Sequence, residues 1–223
     1  KINNLIAEVT ENLEKFELGI ALSKVYEFIW NEVCDWYIEL IKPVFYNGTD
    51  EEKGVSYRII REVLIKSLKL LHPTMPFITE EIYSFLNDEE TIMMASWPQA
   101  DPSFIDADIE EQMGGIIEAI KSIRNLRQEM NVPNKKKSTL YIFPNEGKKS
   151  IFENATDYLI KLAYAEDVVL LEKDSTDENH VSLVTSTARI YIPLLDLVDR
   201  EKELDRLEKE KKKLESEIER VNR

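Results

Sequence analysis

Apolar residues recur at intervals of three and four from residue 1 to about residue 130, which predicts a series of amphipathic helices. The first stripe predicts a first helix and contains Ile2, Leu5, Ile6, Val9 and Leu13. A longer stripe over residues 18–41 predicts a second helix with a broad buried face. Pro43 and then the Asn47-Gly48 pair are predicted to end this helix, because proline has no amide proton to donate and an Asn-Gly pair favours a turn.

Three further helices are predicted before residue 131, each delimited by a capping residue or a proline. Their expected bounds are Thr49 or Asp50 to His72-Pro73, Pro76 to about Asn87, and Asp106 to Met130. Residues 91–102 contain two prolines and Trp97, and they are predicted to form an extended segment laid over the helices. Short connections of this kind are typical of an antiparallel helical bundle.

A different pattern begins at about residue 134. Residues there become rich in β-formers, return once to helical spacing, and then alternate between apolar and polar positions. The expected order is a strand at 139–143 ended by Pro144, a helix at 150–163, a strand at 168–171, and alternating residues within 180–194. This order predicts a small α/β layer of about three strands and one helix.

Heptad spacing marks the last part of the chain and predicts one strand of a coiled coil, without a returning partner helix. The two seams contain Leu197, Leu204, Lys211 and Ile218, and Arg200, Leu207, Leu214 and Val221. The predicted fold is therefore mainly α: an antiparallel helical bundle over 1–133, a small α/β domain over 134–195, and a truncated C-terminal coiled-coil helix over 196–223.

Composition narrows the class of protein. With 43% hydrophobic and 32% charged residues among 223, the chain has the composition of a globular protein, and its apolar stretches are too short to span a membrane. One cysteine and two histidines exclude an internal disulfide and a Cys/His zinc site. We therefore expect a reducing, cytoplasmic location and no metal. The first residue is not methionine, which favours a piece excised from a longer protein.

The net charge of −14 has the wrong sign for a protein that binds nucleic acid through its overall field. Any contact with RNA must therefore be local. Three positions are predicted to have structural roles instead. Cys34 is expected to be a small buried hydrophobe, and His72 a hydrogen-bonded residue at a proline-bounded turn. Glu80 and Glu81 are expected in a first helical turn, where a negative charge suits the helix dipole.

Four segments resemble the valyl-tRNA synthetases, a family of class I aminoacyl-tRNA synthetases. They occur in the order found in that family and extend over most of the chain: residues 30–39 (WNEVCDWYIE), 71–82 (LHPTMPFITEEI), 122–133 (SIRNLRQEMNVP) and 191–194 (YIPL). The second segment is shared, in looser form, with the isoleucyl, leucyl and methionyl relatives. Together, the other three favour valine.

The resemblance implies that the chain corresponds to the part of the synthetase that recognises the anticodon of tRNA-Val. The catalytic motifs His-x-Gly-His and Lys-Met-Ser-Lys-Ser are absent from the sequence. The resemblance therefore implies no catalytic residues and no cofactor in this chain, with ATP and Mg²⁺ needed only by the full-length enzyme. Its expected partners are tRNA-Val and its own catalytic domain, without DNA or membrane, and the chain is expected to be a monomer. The coiled coil, with Lys209 and residues 211–213, is expected to lean on the outer corner of the tRNA.

Candidate RNA-binding residues follow from the chemistry of RNA loops. Unstacked bases are bound by flat side chains and by hydrogen bonds, and phosphates by Lys and Arg. The end of the second predicted helix combines these types in Asp35, Trp36, Glu39, Lys42 and Tyr46. Trp36 also lies on the apolar stripe, which favours burial in the core as its alternative role.

Two further groups are basic. The first lies on the third predicted helix and the second at the end of the last bundle helix, where cations recur every three residues and therefore share a face. The first contains Arg58 and Arg61, with Lys66, and the second Lys121, Arg124 and Arg127, with Lys135, Lys136 and Lys137. For the first group a solvated surface is the alternative, and for the second an internal pairing with Glu118 or Glu129.

Two rival functions remain open from the sequence. The chain could be the corresponding module of an isoleucyl-type synthetase, or a helical scaffold that binds proteins and never touches RNA. A difference in affinity between valine and isoleucine tRNAs separates the first rival, and salt-dependent binding separates the second.

Overall fold

The computed structural model describes residues 1–86, 91–174, 179–197 and 211. They form a mainly helical chain with one small sheet, as predicted, and this sheet has four strands. Contacts divide the chain into two compact units, Lys1–Ala107 and Asp108–Arg223. The helices of the first unit are α1 (Ile2–Glu14), α2 (Leu18–Glu27), α3 (Ile38–Asn47), α4 (Asp50–Leu71) and α5 (Pro76–Leu86).

Helices α1 and α2 pack through a small apolar core. Leu5, Ile6 and Val9 from α1 are buried with Ala21 and Val25 from α2. The segment over residues 91–102 lies over the helices, as predicted, and packs Trp97 and Ala100 against this core, although it includes a short 3-10 turn at Ile92–Met94. Its Trp97 donates the indole Nε1–H to Thr10 Oγ1 at 2.9 Å, and the Asp101 amide donates to Asn3 Oδ1 at 3.2 Å.

Of the two predicted stops of the second helix, Pro43 is wrong and the Asn47-Gly48 pair is confirmed. Helix α2 continues through a π-helical segment, Phe28–Tyr37, into α3, which contains Pro43 and ends at Asn47. Proline removes one amide donor, and the helix resumes its bonding beyond it, up to the amide of Gly48, which donates to Val44 O at 2.8 Å. The true break is Gly48, where an added Cβ would lie 2.5 Å from that same carbonyl oxygen.

The π-helical segment also explains why the prediction for Cys34 is wrong. Hydrogen bonds of a π-helix close five residues apart, so its winding rotates side chains away from the faces that an α-helical pattern assigns to them. In this segment Val33 and Trp36 are buried, and Cys34 is exposed.

Helix α4 begins at the predicted cap. Thr49 Oγ1 accepts the Glu52 amide, and the Glu52 carboxylate accepts the Thr49 amide at 2.7 Å, which forms a capping box. These bonds, first from the amide and then from the hydroxyl of Thr49, lower the pKa of Glu52. Helix α5 starts at Pro76 as predicted, and His72 Nδ1 lies 2.7 Å from Thr79 Oγ1, which confirms its structural role.

The role predicted for Glu80 and Glu81 is wrong, because neither lies in the first turn of α5. Instead the Glu80 carboxylate accepts the Thr91 hydroxyl at 2.7 Å and the Ile92 amide at 3.4 Å. It therefore holds the following segment, and Ile92 joins the small cluster around the fully buried Tyr83.

The second unit contains α6 (Ala107–Glu129), β1 (Ser138–Pro144), α7 (Lys149–Leu162), β2 (Ala165–Leu170), β3 (His180–Val184), β4 (Ala188–Pro193) and the short α8 (Leu194–Leu197). The strand order is β2-β1-β4-β3. Strands β1 and β2 are parallel and are joined through α7, whereas β4 runs antiparallel to both β1 and β3. The sequence predicts about three strands; there are four, because residues 180–194 form a hairpin.

The core of this unit is continuous across the sheet and its helices. Side chains with no exposed surface come from β1, β4, α6 and α7: Leu140, Ile142, Ile190, Ile192, Ala119, Ile120, Ile123, Phe152, Ala155 and Leu159. Helix α6 lies close to the β3–β4 turn, where a Cβ on Gly115 would be 2.4 Å from Thr187 Cγ2. Glu118 accepts the Ser186 amide and hydroxyl nearby.

The boundary between the compact units therefore lies before α6, whereas the sequence predicts a domain boundary at residue 133. The division into domains at 133 and 195 stays a prediction. The coiled-coil helix predicted over 196–223 lies outside the described residues apart from positions 196, 197 and 211. No helix among the described residues is both long enough and apolar enough to cross a bilayer. Within the same residues, no three His, Cys, Asp or Glu side chains are grouped so as to hold a metal ion.

Candidate nucleic-acid interface

The predicted RNA-binding residues are divided between the two units. Seven lie on the helices of the first unit: Asp35, Trp36, Glu39, Lys42, Tyr46, Arg58 and Arg61. The other five lie at the end of α6 and in the loop that follows it: Lys121, Arg124, Arg127, Lys135 and Lys136.

On the first unit, α3 carries a polar stripe next to a buried tryptophan. Trp36 is only 7% exposed, so its ring has no face for an RNA base, and the alternative of a core residue is correct. Glu39, Lys42 and Tyr46 follow at helical spacing and share a face of α3. Lys42 forms an ion pair with Glu39, and the Tyr46 ring is 78% exposed. This stripe therefore offers a cation and a flat ring side by side.

The arginines of α4 differ from each other. Arg58 is exposed. Arg61 is half-buried and donates its Nε–H to Leu86 O at 2.6 Å, so this part of its guanidinium supports the end of α5. Arg58 remains the better candidate for a phosphate contact on this helix.

A pair of aromatic residues on the same unit was not predicted as a site. Tyr26 and Trp30 are stacked, with ring centroids 6.2 Å apart and an angle of 9° between the planes, and both are exposed. They continue a row of exposed apolar residues, Leu18 and Leu22, at intervals of four. Leucines in such a row are typical of a helix-packing face rather than of an RNA surface. The four-residue spacing, off the buried stripe, was the signal in the sequence.

On the second unit, Arg127 is buried and has a structural role. Its side chain is 2% exposed, and its guanidinium donates to Ser138 Oγ at 3.1 Å, to Pro133 O at 3.2 Å and to Lys136 O. The prediction of direct RNA binding by this residue is wrong, because these acceptors occupy the guanidinium tips. Arg127 fastens the loop over residues 133–138 to the end of α6.

The burial of Arg127 has an electrostatic consequence. Loss of hydration lowers the pKa of its guanidinium, with Tyr164 acting in the opposite direction. An arginine stays protonated in proteins even so. Its Nε is buried without a hydrogen-bond partner. Among the described residues the partners of Arg127 are the Tyr164 ring and three neutral oxygens, so Arg127 itself pairs with neither Glu118 nor Glu129. Glu118 accepts the amide and the hydroxyl of Ser186.

Arg124 and Arg127 both contact Tyr164. Their guanidinium carbons lie 5.9 and 5.6 Å from the centre of the ring. Tyr164 follows α7 with a φ of 57°, in the left-handed region that few non-glycine residues adopt. Arg124 also donates its Nε–H to Leu162 O at 2.6 Å, at the end of α7. The α7–β2 connection therefore brings Tyr164 to the end of α6, which the sequence pattern did not predict.

A cavity of about 390 Å³ opens at this place. Six of its lining residues are polar: Arg124, Arg127, Gln128, Asn131, Asn134 and Tyr164. Val132 completes the lining, which contains no Asp or Glu. Gln128, Asn131 and Asn134 are exposed, so the cavity is open to solvent.

The end of α6 leaves few backbone acceptors facing the cavity. Asn131 adopts a φ of 53°, its amide donates to Gln128 O at 3.0 Å, and the Val132 amide donates to Arg127 O at 2.8 Å. This arrangement is a Schellman motif, which occupies the last carbonyls of a helix. The lining therefore combines two guanidinium groups with three side-chain amides, and two of the carbonyls at the helix end are already occupied.

The lysines of the following loop are divided between surface and structure. Lys135 is exposed, as is Lys121 on α6. Lys136 is half-buried and donates its Nζ to Leu195 O at 2.9 Å. The basic neighbourhood predicted from the sequence is thus present, with Arg127 and Lys136 inside it as supports and Lys135 on its surface.

The chain was compared with known proteins. Residues 1–142 match the family described as the anticodon-binding domain of tRNA ligase. The valine–tRNA ligases of Clostridium acetobutylicum and Clostridium perfringens are 52% and 53% identical over the whole chain, and that of Carboxydothermus hydrogenoformans is 38% identical. The chain spans about a quarter of the length of these relatives, 26% of the first two. Since the family match extends over more than half of its residues, the chain belongs to the anticodon-binding domains of tRNA ligases.

Proposed function

We propose that the chain is the tRNA-binding portion of a valine–tRNA ligase, and that it holds tRNA-Val by its anticodon arm. The observation that carries this proposal is the similarity to valine–tRNA ligases over the full length of the chain, at 52% identity. Those relatives also favour valine over isoleucine, the alternative that the sequence motifs left open.

The mechanism is one of position. Binding of the anticodon arm orients the tRNA so that a catalytic domain elsewhere in the longer protein receives the acceptor end, which replaces a bimolecular encounter by a local one. In this proposal the chain itself has no catalytic residues and binds no cofactor. ATP and Mg²⁺ serve the catalytic domain, and the protein acts as a monomer in the cytoplasm.

The exposed stripe on α3 supports RNA binding by the first unit. Tyr46 offers an aromatic face, and Lys42 a cation next to it, while Arg58 offers a second cation on α4. Stacking of a base on such a ring contributes about 1–3 kcal/mol. In a chain with a net charge of −14, contacts of this kind have to act locally, and phosphate contacts make affinity decrease as salt increases.

The test is a titration of the chain with tRNA-Val and with tRNA-Ile at several salt concentrations, together with footprinting of the anticodon loop. Tyr46→Ala is expected to weaken binding of tRNA-Val by about fivefold to a hundredfold, the equivalent of one stacked base. Tyr26→Ala is the matched control, because it removes another exposed tyrosine of the same unit from a different row. Equal binding of both tRNAs would contradict the valine assignment, and no binding at low salt would favour a scaffold.

A further inference from the structure

Within the part of the chain that the structure describes, the end of α6 contains a buried cation, Arg127, without an anionic partner. The Arg127 side chain is 2% exposed, and the acceptors of its guanidinium among the described residues are all neutral oxygens. A buried charge with only neutral partners is costly. An anion in the adjoining cavity would offset that cost, because the cavity is lined by the same side chain.

The rest of the lining matches an anion as well. Arg124 adds a second guanidinium, and Gln128, Asn131 and Asn134 add three amide groups with two N–H donors each. The Schellman motif at Asn131 keeps the last helix carbonyls occupied, so their partial negative charge is reduced where the cavity opens. In a protein with 43 acidic residues, a cavity of this size lined without one is a selective feature.

We infer that this cavity binds a phosphate group of an RNA backbone. The Arg124 guanidinium and the side-chain amides of Gln128, Asn131 and Asn134 hold the phosphate, and the buried charge of Arg127 attracts it from beneath. The inference rests on the proposed function for its RNA. It adds a contact site on the second unit, which is distinct from the stripe on α3.

Phosphate fits the cavity better than a stacked base does. Guanidinium and amide N–H groups that converge from several directions suit an oxyanion with several acceptor oxygens. The two guanidiniums, whose carbons lie 5.9 and 5.6 Å from the centre of the Tyr164 ring, already interact with that ring and compete with a base for it. The volume of about 390 Å³ lies in the range of small-ligand sites and accommodates a phosphate with its sugar.

Gln128→Glu tests the site without disturbing the fold. The substitution keeps the size of an exposed side chain and places a carboxylate in the lining. Gln112→Glu is the control, because Gln112 is an exposed residue of the same helix and the change in charge is identical. Sixteen residues of helix separate the two positions, about 24 Å. Asn134→Asp repeats the test from the loop.

The first measurement is binding of tRNA-Val to the whole chain over a range of salt concentrations. Gln128→Glu is expected to weaken binding by about tenfold or more, the loss of a charge-assisted hydrogen bond, while Gln112→Glu changes it by less than about twofold. The slope of log K against log salt should become shallower by about 0.7–0.9 in Gln128→Glu alone, which corresponds to one phosphate.

The second measurement uses inorganic phosphate as the probe, by its effect on thermal unfolding. Phosphate is expected to raise the Tm of the unsubstituted chain and of Gln112→Glu, and to leave that of Gln128→Glu unchanged, because an anion that binds only the folded state stabilises it. Equal responses in the two variants, to tRNA and to phosphate, would overturn the inference.

The two proposals fail in different ways. If the chain binds tRNA-Val and both variants bind it equally, the cavity is not an RNA site and the proposed function stands. If no tRNA binds while the phosphate response is lost only in Gln128→Glu, the proposed function fails, and the cavity takes a free anion rather than RNA.

Discussion

The two compact units differ in how much of their large apolar side chains is exposed. In the second unit, Leu140, Ile142 and Phe152 have no exposed surface. In the first unit, Phe77 is 90% exposed, Phe16 is 88% exposed and Phe85 is 79% exposed. Both units contain amphipathic segments, so the difference is in what covers the apolar face. In a sheet, the neighbouring strands and the helices packed on them cover the apolar side chains of each strand. An amphipathic helix has an apolar stripe that stays exposed unless another element packs on it.

The sheet shows how cover is built in. Strand β1 lies between β2 and β4, and the helices α6 and α7 contribute further fully buried residues. Helix α4, in contrast, has 22 residues and buries only Ser67, Leu68 and Leu70. A large exposed apolar surface of this kind is a feature of interaction sites. We therefore expect the second unit to be the more stable of the two.

The largest expected effect contrasts two phenylalanines. Phe152→Ala should destabilise the second unit by about 3–5 kcal/mol, because it leaves a cavity in a close-packed core. Phe77→Ala, the matched control, should change the stability by no more than about 0.5 kcal/mol. The measurement is urea unfolding followed by circular dichroism, which reports both units, and by tryptophan fluorescence, which reports the first, since all three tryptophans (Trp30, Trp36 and Trp97) lie there.

If Phe77→Ala lowered the free energy of unfolding nearly as much as Phe152→Ala, the expected difference between the two units would be contradicted. It would mean that the exposed face of α5 is covered in solution. A shift of the fluorescence transition by Phe152→Ala would show that the stabilities of the two units are linked.

Two adjacent glycines test how closely helix α6 packs against the β3–β4 turn in the second unit. Gly115→Ala should cost about 1–3 kcal/mol, because its Cβ would lie 2.4 Å from Thr187 Cγ2 in a packed site. Gly114→Ala should instead stabilise the chain by about 0.5–1 kcal/mol, because no atom lies within 4 Å of its added Cβ and alanine favours the helix. Thermal or urea unfolding of both variants is the measurement.

Thr187→Ser provides the check on this pair. It removes the Cγ2 that meets the new methyl group, so the double variant should recover part of the loss. If Gly115→Ala is as stable as Gly114→Ala, helix α6 and the β3–β4 turn are farther apart than the structure has them.

A smaller effect is expected at the cap of α4 in the first unit. Thr49→Ala should cost about 1 kcal/mol, and Thr49→Ser, which keeps the hydroxyl, much less. Tryptophan fluorescence during urea unfolding measures both. A loss as large in the serine variant would show that the methyl group, and not the cap, is responsible.

The same variant has a defined pH dependence. The pKa of Glu52 is lowered from its ordinary value of 4.5 in the folded state, so its contribution to stability is present above pH 4.5 and is lost as the pH falls through the lower, folded pKa. Thr49→Ala removes the hydroxyl that accounts for part of this shift. The difference in stability between the unsubstituted chain and Thr49→Ala should therefore narrow at acid pH, and a constant difference would contradict the assignment.

The smallest effect is expected at Cys34. Because its side chain is exposed, Cys34→Ser should change the free energy of unfolding by less than about 0.5 kcal/mol. The native thiol should react with a thiol-specific reagent at a rate close to that of the unfolded chain. Protection of the thiol in the native protein would show that the π-helical segment is wound differently in solution.

Much of the fold was predictable because it depends on local chemistry. Thr49 as a cap, Pro76 as a helix start and Pro144 as the end of a strand are decided by their own bonding capacity. The prediction at Pro43 was wrong, because the proline removes only one backbone hydrogen bond from a helix that continues on both sides of it. The hairpin at 180–194 was read as fewer strands, because an alternating pattern does not show where the chain turns back.

The candidate site was less predictable, because accessibility depends on distant parts of the chain. The three-residue spacing correctly places Arg124 and Arg127 on one face of α6. It does not show that the loop over residues 133–138 and Tyr164 cover that face and bury Arg127. Cys34 departs from its expected environment for a similar reason, since a π-helical segment changes the direction of side chains within it, whereas the burial of Trp36 agrees with its place on the apolar stripe.

By itself the sequence determined the family, the helical and strand periods, the caps and the acidic net charge, because each of these depends on residue types and short-range spacing. Tertiary structure alone decided which cations are exposed, which aromatic rings are covered, and that a donor-lined cavity forms beside a buried arginine. The reason is that burial and electrostatic compensation depend on groups that are far apart in the chain, such as residues 127, 138 and 164, which only the packing of α6, β1 and α7 brings together.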